Sequence, residues 1–166
     1  QGIKFENDKT EIELLNFLKE RMRNILKLKN IKFDIIEASI SSHVGDNYLD
    51  LYKKNILMNK YIRKDVGINI ISSYKRASNI TEKSDKGIKG SPDAVLFRTE
   101  EEKILYEKIN EIRKAFTVKE SNKDYENLLF RLSETKQFTD NFFDNVVVND
   151  ENKDIKNNRL ELLRMY

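Results

Sequence analysis

The sequence predicts an all-α protein, a bundle of about six to seven helices. Its 166 residues include a single proline, Pro92, and proline is the residue that most strongly interrupts a helix. Apolar residues recur every three or four positions along most of the chain, as they do on the buried face of an amphipathic helix. The strict alternation of apolar and polar residues that is typical of strands is scarce. We therefore expect helices packed against one another around a shared apolar core.

The first half of the chain predicts four helices, each with its apolar residues on one face. The first places Leu15, Leu18 and Met22 on a stripe at helical spacing. The second ends near Gly45, because glycine readily takes the left-handed conformation that closes a helix. The stripes of the third and fourth run through Leu49, Tyr52, Ile56 and Leu57, and through Ile70, Ile71, Tyr74, Ala77 and Ile80. The four predicted spans are 8–28, 34–42, 46–60 and 63–83.

The second half predicts an exposed loop near 84–92 and three more helices. Two of the five glycines lie in the loop and Pro92 closes it. Thr99 is a suitable N-cap for the next helix, and Glu100–Glu102 in its first turn suit the helix dipole as solvated carboxylates. The predicted spans are 99–116, 123–145 and 151 onward, with an extended stretch at 146–148. No second core of independent size follows the loop, so we expect a single domain over 1–166.

The composition excludes several classes of active site. There is no Cys, so a thiolate zinc site and a cysteine nucleophile are excluded, and the single His43 excludes a multi-histidine metal site. The five glycines form neither of the common phosphate-binding loops. We predict no catalytic residue, no metal site and no bound cofactor in this chain. No apolar run approaches the roughly 18 residues that cross a bilayer, which predicts a cytoplasmic protein without a membrane partner.

Charge is distributed unevenly along the sequence. Residues 60–90 hold eight Lys/Arg against three Asp/Glu, a net +5, whereas residues 91–155 hold ten against fifteen, a net −5. A basic segment beside an acidic one suits a protein that meets a polyanion on one side only. The alternative is a set of solvated helix faces, and charge alone does not decide between them.

The basic segment contains one helical face with the side chains that RNA binding requires. Lys75, Asn79 and Lys83 follow each other at four-residue spacing and fall on a shared face, with Arg76 beside it. Cations with an amide between them can hold phosphates and read a base edge. The alternative is that this helix is packed into the core.

Four short motifs follow one another in the second half. They are KRxSNI at 75–80, Asp93 with Leu96 and Phe97 before an acidic helix, FFDxV at 142–146, and NRLxLL at 158–163. In this order they resemble the carboxy-terminal region of the beta subunit of bacterial glycyl-tRNA synthetase. That region is a DALR-like, all-helical anticodon-binding domain, related to the domain that ends arginyl-tRNA synthetases and to class I synthetases.

The resemblance implies a tRNA-binding role. The chain would be a non-catalytic module that grips the anticodon arm of glycine tRNA and so orients the acceptor end toward a distant active site. The parent enzyme would be a glycine–tRNA ligase that uses ATP and magnesium, a heterotetramer with the alpha subunit and a second beta subunit. We expect the chain to be a fragment of such a beta subunit. The predicted RNA-binding residues are Lys75, Arg76, Asn79, Lys83 and Arg159.

Alternatives remain open at several positions. Arg159 could instead pair with Asp144 or Asp150 and hold the last helix in place. Phe142 and Phe143 could stack on RNA bases or fill the core. The rival to RNA binding is a helical scaffold used for subunit or interdomain assembly, which an exposed apolar patch would favour. A second alternative is the equivalent domain of an arginyl-type enzyme.

Overall fold

A computed structural model describes residues 8–43, 47–84, 90–117 and 124–166. Within these ranges the chain forms seven α-helices and no strand, which confirms the all-α prediction. The helices are α1 (Asp8–Leu28), α2 (Phe33–Ser42), α3 (Tyr48–Tyr61), α4 (Asp65–Glu82), α5 (Glu100–Thr117), α6 (Tyr125–Asn145) and α7 (Lys153–Leu163).

The helix ends agree with those predicted from the spacing of apolar residues to within two residues. Between α4 and α5 a single 3₁₀ turn covers Ala94–Leu96. After α6, Val146 has the extended conformation predicted for that stretch, with φ −120° and ψ 121°. Residues 85–89 of the predicted loop lie outside the described residues.

The described residues pack into two compact units, 1–62 and 63–166. We call them the amino-terminal unit and the carboxy-terminal unit. The single domain expected over 1–166 stays a prediction.

In the amino-terminal unit, α1, α2 and α3 enclose a small apolar core. Leu26, Ile36 and Ile40 are almost fully buried there. The Arg23 guanidinium donates two hydrogen bonds to Glu37, with Nε 2.7 Å from Oε1, and so ties α1 to α2. The hydrogen bond from Arg23 lowers the pKa of Glu37 below its ordinary value.

The carboxy-terminal unit has the larger core. Helix α6 packs against both α4 and α5, and α7 packs against α4. Phe142 is completely buried among Leu105, Leu160 and Leu162, which confirms the core interpretation for this residue. Phe143 packs against the same core but is only partly buried. The core thus fixes one face of α4 and leaves its other face to solvent.

Candidate nucleic-acid interface

Helix α4 presents the basic face that its sequence predicts. Ser73 and Ala77 point inward and are buried, and residues two positions further along a helix lie on roughly the opposite side. Lys75, Asn79 and Lys83 are accordingly exposed. Within the described residues neither lysine makes an ion pair, and the Asn79 side chain makes no hydrogen bond. The core-packing alternative for this face is therefore wrong, and two cations and an amide are available to a ligand.

Arg76 lies beside this face but is held by α6. Its Nη1 is 3.1 Å from Asp140 Oδ1 and its Nη2 is 3.6 Å from Asp144 Oδ1. Its Cζ lies 4.5 Å from the centre of the Phe143 ring, a cation–π contact. The Arg76 side chain is nevertheless 43% exposed. Arg76 can therefore offer one face of a fixed, planar cation, although two carboxylates offset much of its charge.

Two tyrosines of the basic segment differ in how far they are buried. Tyr61, at the start of the segment, is buried, whereas Tyr74 is exposed at the position preceding Lys75. An exposed tyrosine among lysines is a common stacking surface for unpaired RNA bases. The spacing placed Tyr74 on the apolar stripe of α4, but its side chain is exposed and so is accessible for stacking, which the buried Tyr61 is not.

A polar groove of about 510 Å³ lies between α4 and α6. Its lining includes the side-chain amides of Asn69, Gln137 and Asn141. None of these three amides makes a side-chain hydrogen bond to another described residue. Asp140, which pairs with Arg76, also lines the groove. Unpaired amides can both donate to and accept from the edge of a nucleobase. The groove could not be predicted from sequence patterns, because Asn69 on α4 is more than sixty residues from the lining residues on α6.

The structure places Arg159 in the interior, where only 5% of the residue is exposed. Its Nε donates to Glu102 Oε1 at 2.7 Å, and its Nη1 donates to Asp150 Oδ2 at 2.8 Å and to the Val147 carbonyl at 2.9 Å. A buried guanidinium with these partners does not reach a phosphate. The predicted RNA contact at Arg159 is therefore corrected to a structural role, and Asp150 is one of the two partners expected for that role.

Glu102 is the partner of Arg159 that sequence analysis missed. It was expected to be solvated in the first turn of α5, yet the residue is fully buried. Its Oε2 accepts hydrogen bonds from the Arg98 and Thr99 amides, each at 2.7 Å, while Thr99 Oγ1 accepts from the Glu102 amide at 3.4 Å. This reciprocal pattern is a capping box. This confirms Thr99 as the predicted N-cap. The position of Glu102 three residues after Thr99 was the sequence signal for the capping box.

The hydrogen bonds at Glu102 control its ionisation. Burial by itself would raise the pKa of this carboxyl, but the hydrogen bonds from Arg159 and from the two amides outweigh burial and leave the pKa below its ordinary value. The pKa of Asp150 is also lowered, chiefly by the hydrogen bond from the Asn152 amide and further by Arg159. The two carboxylates are therefore ionised near neutral pH, and their hydrogen bonds with Arg159 hold α7 to α5.

Asn158 has a similar structural role. Its Oδ1 accepts from the Asp93 amide at 2.6 Å and its Nδ2 donates to the Asp93 carbonyl at 3.0 Å. The residue is 3% exposed. The NR pair of the NRLxLL motif therefore holds two segments that are distant in sequence, and neither side chain lies on the exposed face of α4.

No group of three or more His, Cys, Asp or Glu side chains among the described residues could hold a metal ion. None of the helices within the described ranges combines the length and apolar character that a membrane span needs.

Comparison with known proteins agrees with the motif order. Residues 70–166 match the family described as the DALR anticodon binding domain. Over 161 residues the chain is 35% identical to the glycine–tRNA ligase beta subunit of Rickettsia canadensis, and over 151 residues it is 36% identical to that of a Sulfurihydrogenibium species. It is 27% identical over 160 residues to the corresponding protein of Clostridioides difficile.

The matches cover nearly all of this chain but only a small part of each relative. They cover 97%, 91% and 96% of this chain, in the same order, but only 24%, 22% and 23% of the relatives. The chain therefore spans about a quarter of the length of these beta subunits. The family match alone covers more than half of this chain and includes the whole of α5, α6 and α7. The chain belongs to the DALR anticodon binding domain family.

Proposed function

We propose that this chain is the tRNA anticodon-arm recognition module of a glycine–tRNA ligase beta subunit. The observation that carries the proposal is the exposed face formed by Lys75, Asn79 and Lys83. It lies within residues 70–166, the part that matches an anticodon-binding family. A basic surface on a family of this kind is the electrostatic footprint expected for RNA.

The geometry suggests different roles for the residues of the face. Lys75 and Lys83 are eight residues apart, so their Cα atoms are separated by roughly 12 Å along the helix axis. They can therefore contact different phosphates of one strand, and phosphate contacts position the RNA without reading sequence. Asn79 lies between them, where its amide can meet a base edge or a ribose hydroxyl. Arg76 contributes less charge, because Asp140 and Asp144 neutralise it.

The amide-lined groove between α4 and α6 supports recognition of an unpaired base. Its three amides carry donors and acceptors that find no partner in the described residues. A base that leaves the loop stack could enter the groove past Arg76, whose planar guanidinium offers a stacking surface. This arrangement favours RNA with unpaired bases, such as an anticodon loop, over a continuous duplex.

The activity of the parent enzyme lies outside this chain. We propose that the module serves ATP- and magnesium-dependent attachment of glycine to its tRNA in the cytoplasm, together with an alpha subunit and a second beta subunit. The names of the relatives, glycine–tRNA ligase beta subunits, support this assignment. The module itself is non-catalytic: with one His and no Cys in 166 residues, its contribution is binding and orientation.

A tRNA titration at several salt concentrations tests the proposal. Lys75→Ala and Lys83→Ala should each weaken binding of any tRNA and reduce the slope of log affinity against log salt by about 0.7–0.9. Asn79→Ala should reduce discrimination between glycine tRNA and other tRNAs with little change in slope. Lys103→Ala is the matched control, because Lys103 is an exposed lysine on α5, away from the α4 face.

The contrary result is a salt slope and an affinity that none of the α4 variants changes. The scaffold alternative would then gain support, and one observation already favours it. Ile12, Leu14 and Phe17 on α1 are large apolar side chains that are more than half exposed, and exposed apolar side chains near one another often mark a protein contact. A scaffold would retain subunit assembly in the Lys75 and Lys83 variants and bind tRNA no better than an unrelated RNA.

A further inference from the structure

The turn between α1 and α2 is a second basic surface, and it lies in the amino-terminal unit. Residues 27–33 read KLKNIKF, with Lys27, Lys29 and Lys32 and no acidic residue. We call this segment the basic turn. Within the described residues Lys29 and Lys32 form no ion pair. The turn therefore carries three positive charges in seven residues without an acidic residue of its own.

The conformation of the basic turn is fixed by the end of α1. Asn30 takes the left-handed conformation, with φ 56°. Its amide donates to the Lys27 carbonyl at 2.9 Å, and the Ile31 amide donates to the Leu26 carbonyl at 3.2 Å. These two bonds and the burial of both Leu26 and Ile31 form a Schellman motif with its apolar contact. The lysines are thus displayed on a closed, anchored turn.

Two large apolar side chains lie on this turn and face solvent. Phe33, the first residue of α2, is 65% exposed, and Leu28 is 83% exposed. The Lys27 ammonium lies 6.0 Å from the centre of the Phe33 ring. A single exposed apolar side chain needs no explanation. An exposed aromatic ring among three lysines has the composition of a surface that binds single-stranded nucleic acid.

We propose that the basic turn binds a single-stranded segment of RNA. Phe33 stacks on a base, and Lys29 and Lys32 contact the phosphates on either side of it. Charge complementarity favours RNA over an uncharged protein partner, since a net +3 at an exposed turn attracts a polyanion. The site goes beyond the proposed function, because it lies outside residues 70–166 and shares no residue with the α4 face.

Stacking and simple apolar contact make different demands on residue 33. A base stacks on a ring, so tyrosine can replace Phe33 and leucine cannot. A membrane surface or an apolar protein partner accepts any large apolar side chain, so leucine would serve nearly as well as phenylalanine. The pair Phe33→Tyr and Phe33→Leu therefore separates RNA stacking from the other uses of this surface.

The test measures binding of the 166-residue chain to a fluorescently labelled 12-nucleotide oligouridine, by anisotropy at several salt concentrations. Phe33→Leu should weaken binding about 5- to 150-fold, the range for loss of one base stack, and Phe33→Tyr should stay within about twofold of wild type. Lys29→Ala and Lys32→Ala should each reduce the salt slope by about 0.7. Phe17→Leu is the matched control, because Phe17 is 62% exposed on α1 outside the basic turn. Circular dichroism of each variant should match wild type.

Three results would overturn the proposal. One is that the wild-type chain does not bind the oligonucleotide, and another is that Phe33→Leu binds it as wild type does. The third is that Phe17→Leu weakens binding as much as Phe33→Leu. Binding to phosphatidylserine vesicles that Phe33→Leu retains would assign the turn to a membrane surface instead. Lys75→Ala, measured with the same oligonucleotide and with tRNA, separates the two sites: loss with that variant alone leaves the α4 proposal standing and removes this one.

Discussion

Two cationic regions of the carboxy-terminal unit have opposite environments although each is marked by a short basic motif. Arg159 of NRLxLL is 5% exposed and bonded to two carboxylates, whereas Lys75 and Lys83 in or beside KRxSNI are exposed and unpaired within the described residues. The difference comes from acidic residues elsewhere in the chain. Glu102 reaches Arg159 from a position 57 residues away. A motif therefore identifies a cation, but its tertiary partners decide whether that cation stabilises the fold or is available to bind RNA.

The largest expected effect comes from removing the charge of Glu102. Glu102→Gln keeps the size of the side chain but leaves the buried Arg159 guanidinium with Asp150 as its remaining carboxylate partner among the described residues. Removing one partner of a buried pair costs up to about 3–5 kcal/mol of the free energy of unfolding. Urea denaturation measures it. Glu100→Gln is the control, because Glu100 is an exposed carboxylate at the first position of the same helix. Replacing such a surface carboxylate should change the free energy of unfolding by less than about 0.5 kcal/mol.

One result of this denaturation experiment would contradict the expected difference between Glu102→Gln and Glu100→Gln. Equal stability of Glu102→Gln and Glu100→Gln would mean that the Arg159 cluster contributes nothing net to the fold. Arg159 would then differ from the lysines of the α4 face in burial but not in what it contributes to stability.

The stability should also depend on pH through Glu102. Because the folded-state pKa of this carboxyl lies below its ordinary value of 4.5, its contribution is fully present above about pH 5. It is lost as the pH falls through the ordinary value toward the folded-state pKa. Thermal melting of wild type from pH 7 to pH 3 should show this acid loss. Glu102→Gln should show a shallower loss than wild type over the same range, and identical slopes would contradict the assignment.

A smaller effect is expected at Asn158. Asn158→Ala removes both hydrogen bonds to the Asp93 backbone. Because Asp93 is an exposed residue, water can satisfy part of what is lost, and we expect a total cost of about 1–3 kcal/mol. Denaturant unfolding checks the value. Asn157→Ala is the neighbouring control, because Asn157 is exposed on α7. RNA affinity should not change in either variant, and a loss of affinity in a stably folded Asn158→Ala would place this motif at the RNA surface.

Helix positions could be predicted because they depend on local spacing. Residues three or four apart share a helix face whatever the tertiary structure, so one pattern located all seven helices. The same spacing placed Lys75, Asn79 and Lys83 on one face, but it left open whether that face is exposed, and only the packing of α4 through the buried Ser73 and Ala77 decides this. The ionic cluster of Arg159 was predicted only in part. Asp150 is nine residues from Arg159 and was expected as a partner.

Glu102 could not be assigned to Arg159 from the sequence. It stands in a run of three glutamates at the start of a helix, and such a run is equally consistent with a solvated first turn. Thr99 followed three residues later by Glu102 was the one local signal, and it predicts a capping box without predicting an ion pair. The amide groove was missed for the same physical reason, because its residues are brought together only when α4 packs on α6.

Arg76 is exposed like the lysines of the α4 face and paired with carboxylates like Arg159. The smallest expected effect concerns this residue. It is on the basic side of α4 and 43% exposed, yet Asp140 and Asp144 lie within ion-pair distance. Asp140→Asn removes one of these carboxylates and also the partner of Lys136 on α6. If the α4 face binds RNA, the freed positive charge should tighten tRNA binding by no more than about fivefold and steepen the salt slope by up to about one contact. The melting temperature should stay near that of wild type, because these pairs are largely exposed.

Asp154→Asn, at an exposed carboxylate in the first turn of α7, should leave the RNA affinity unchanged. An unchanged affinity in Asp140→Asn would show that Arg76 belongs with Arg159 as a structural cation, and that Lys75, Asn79 and Lys83 form the whole of the α4 surface available to RNA.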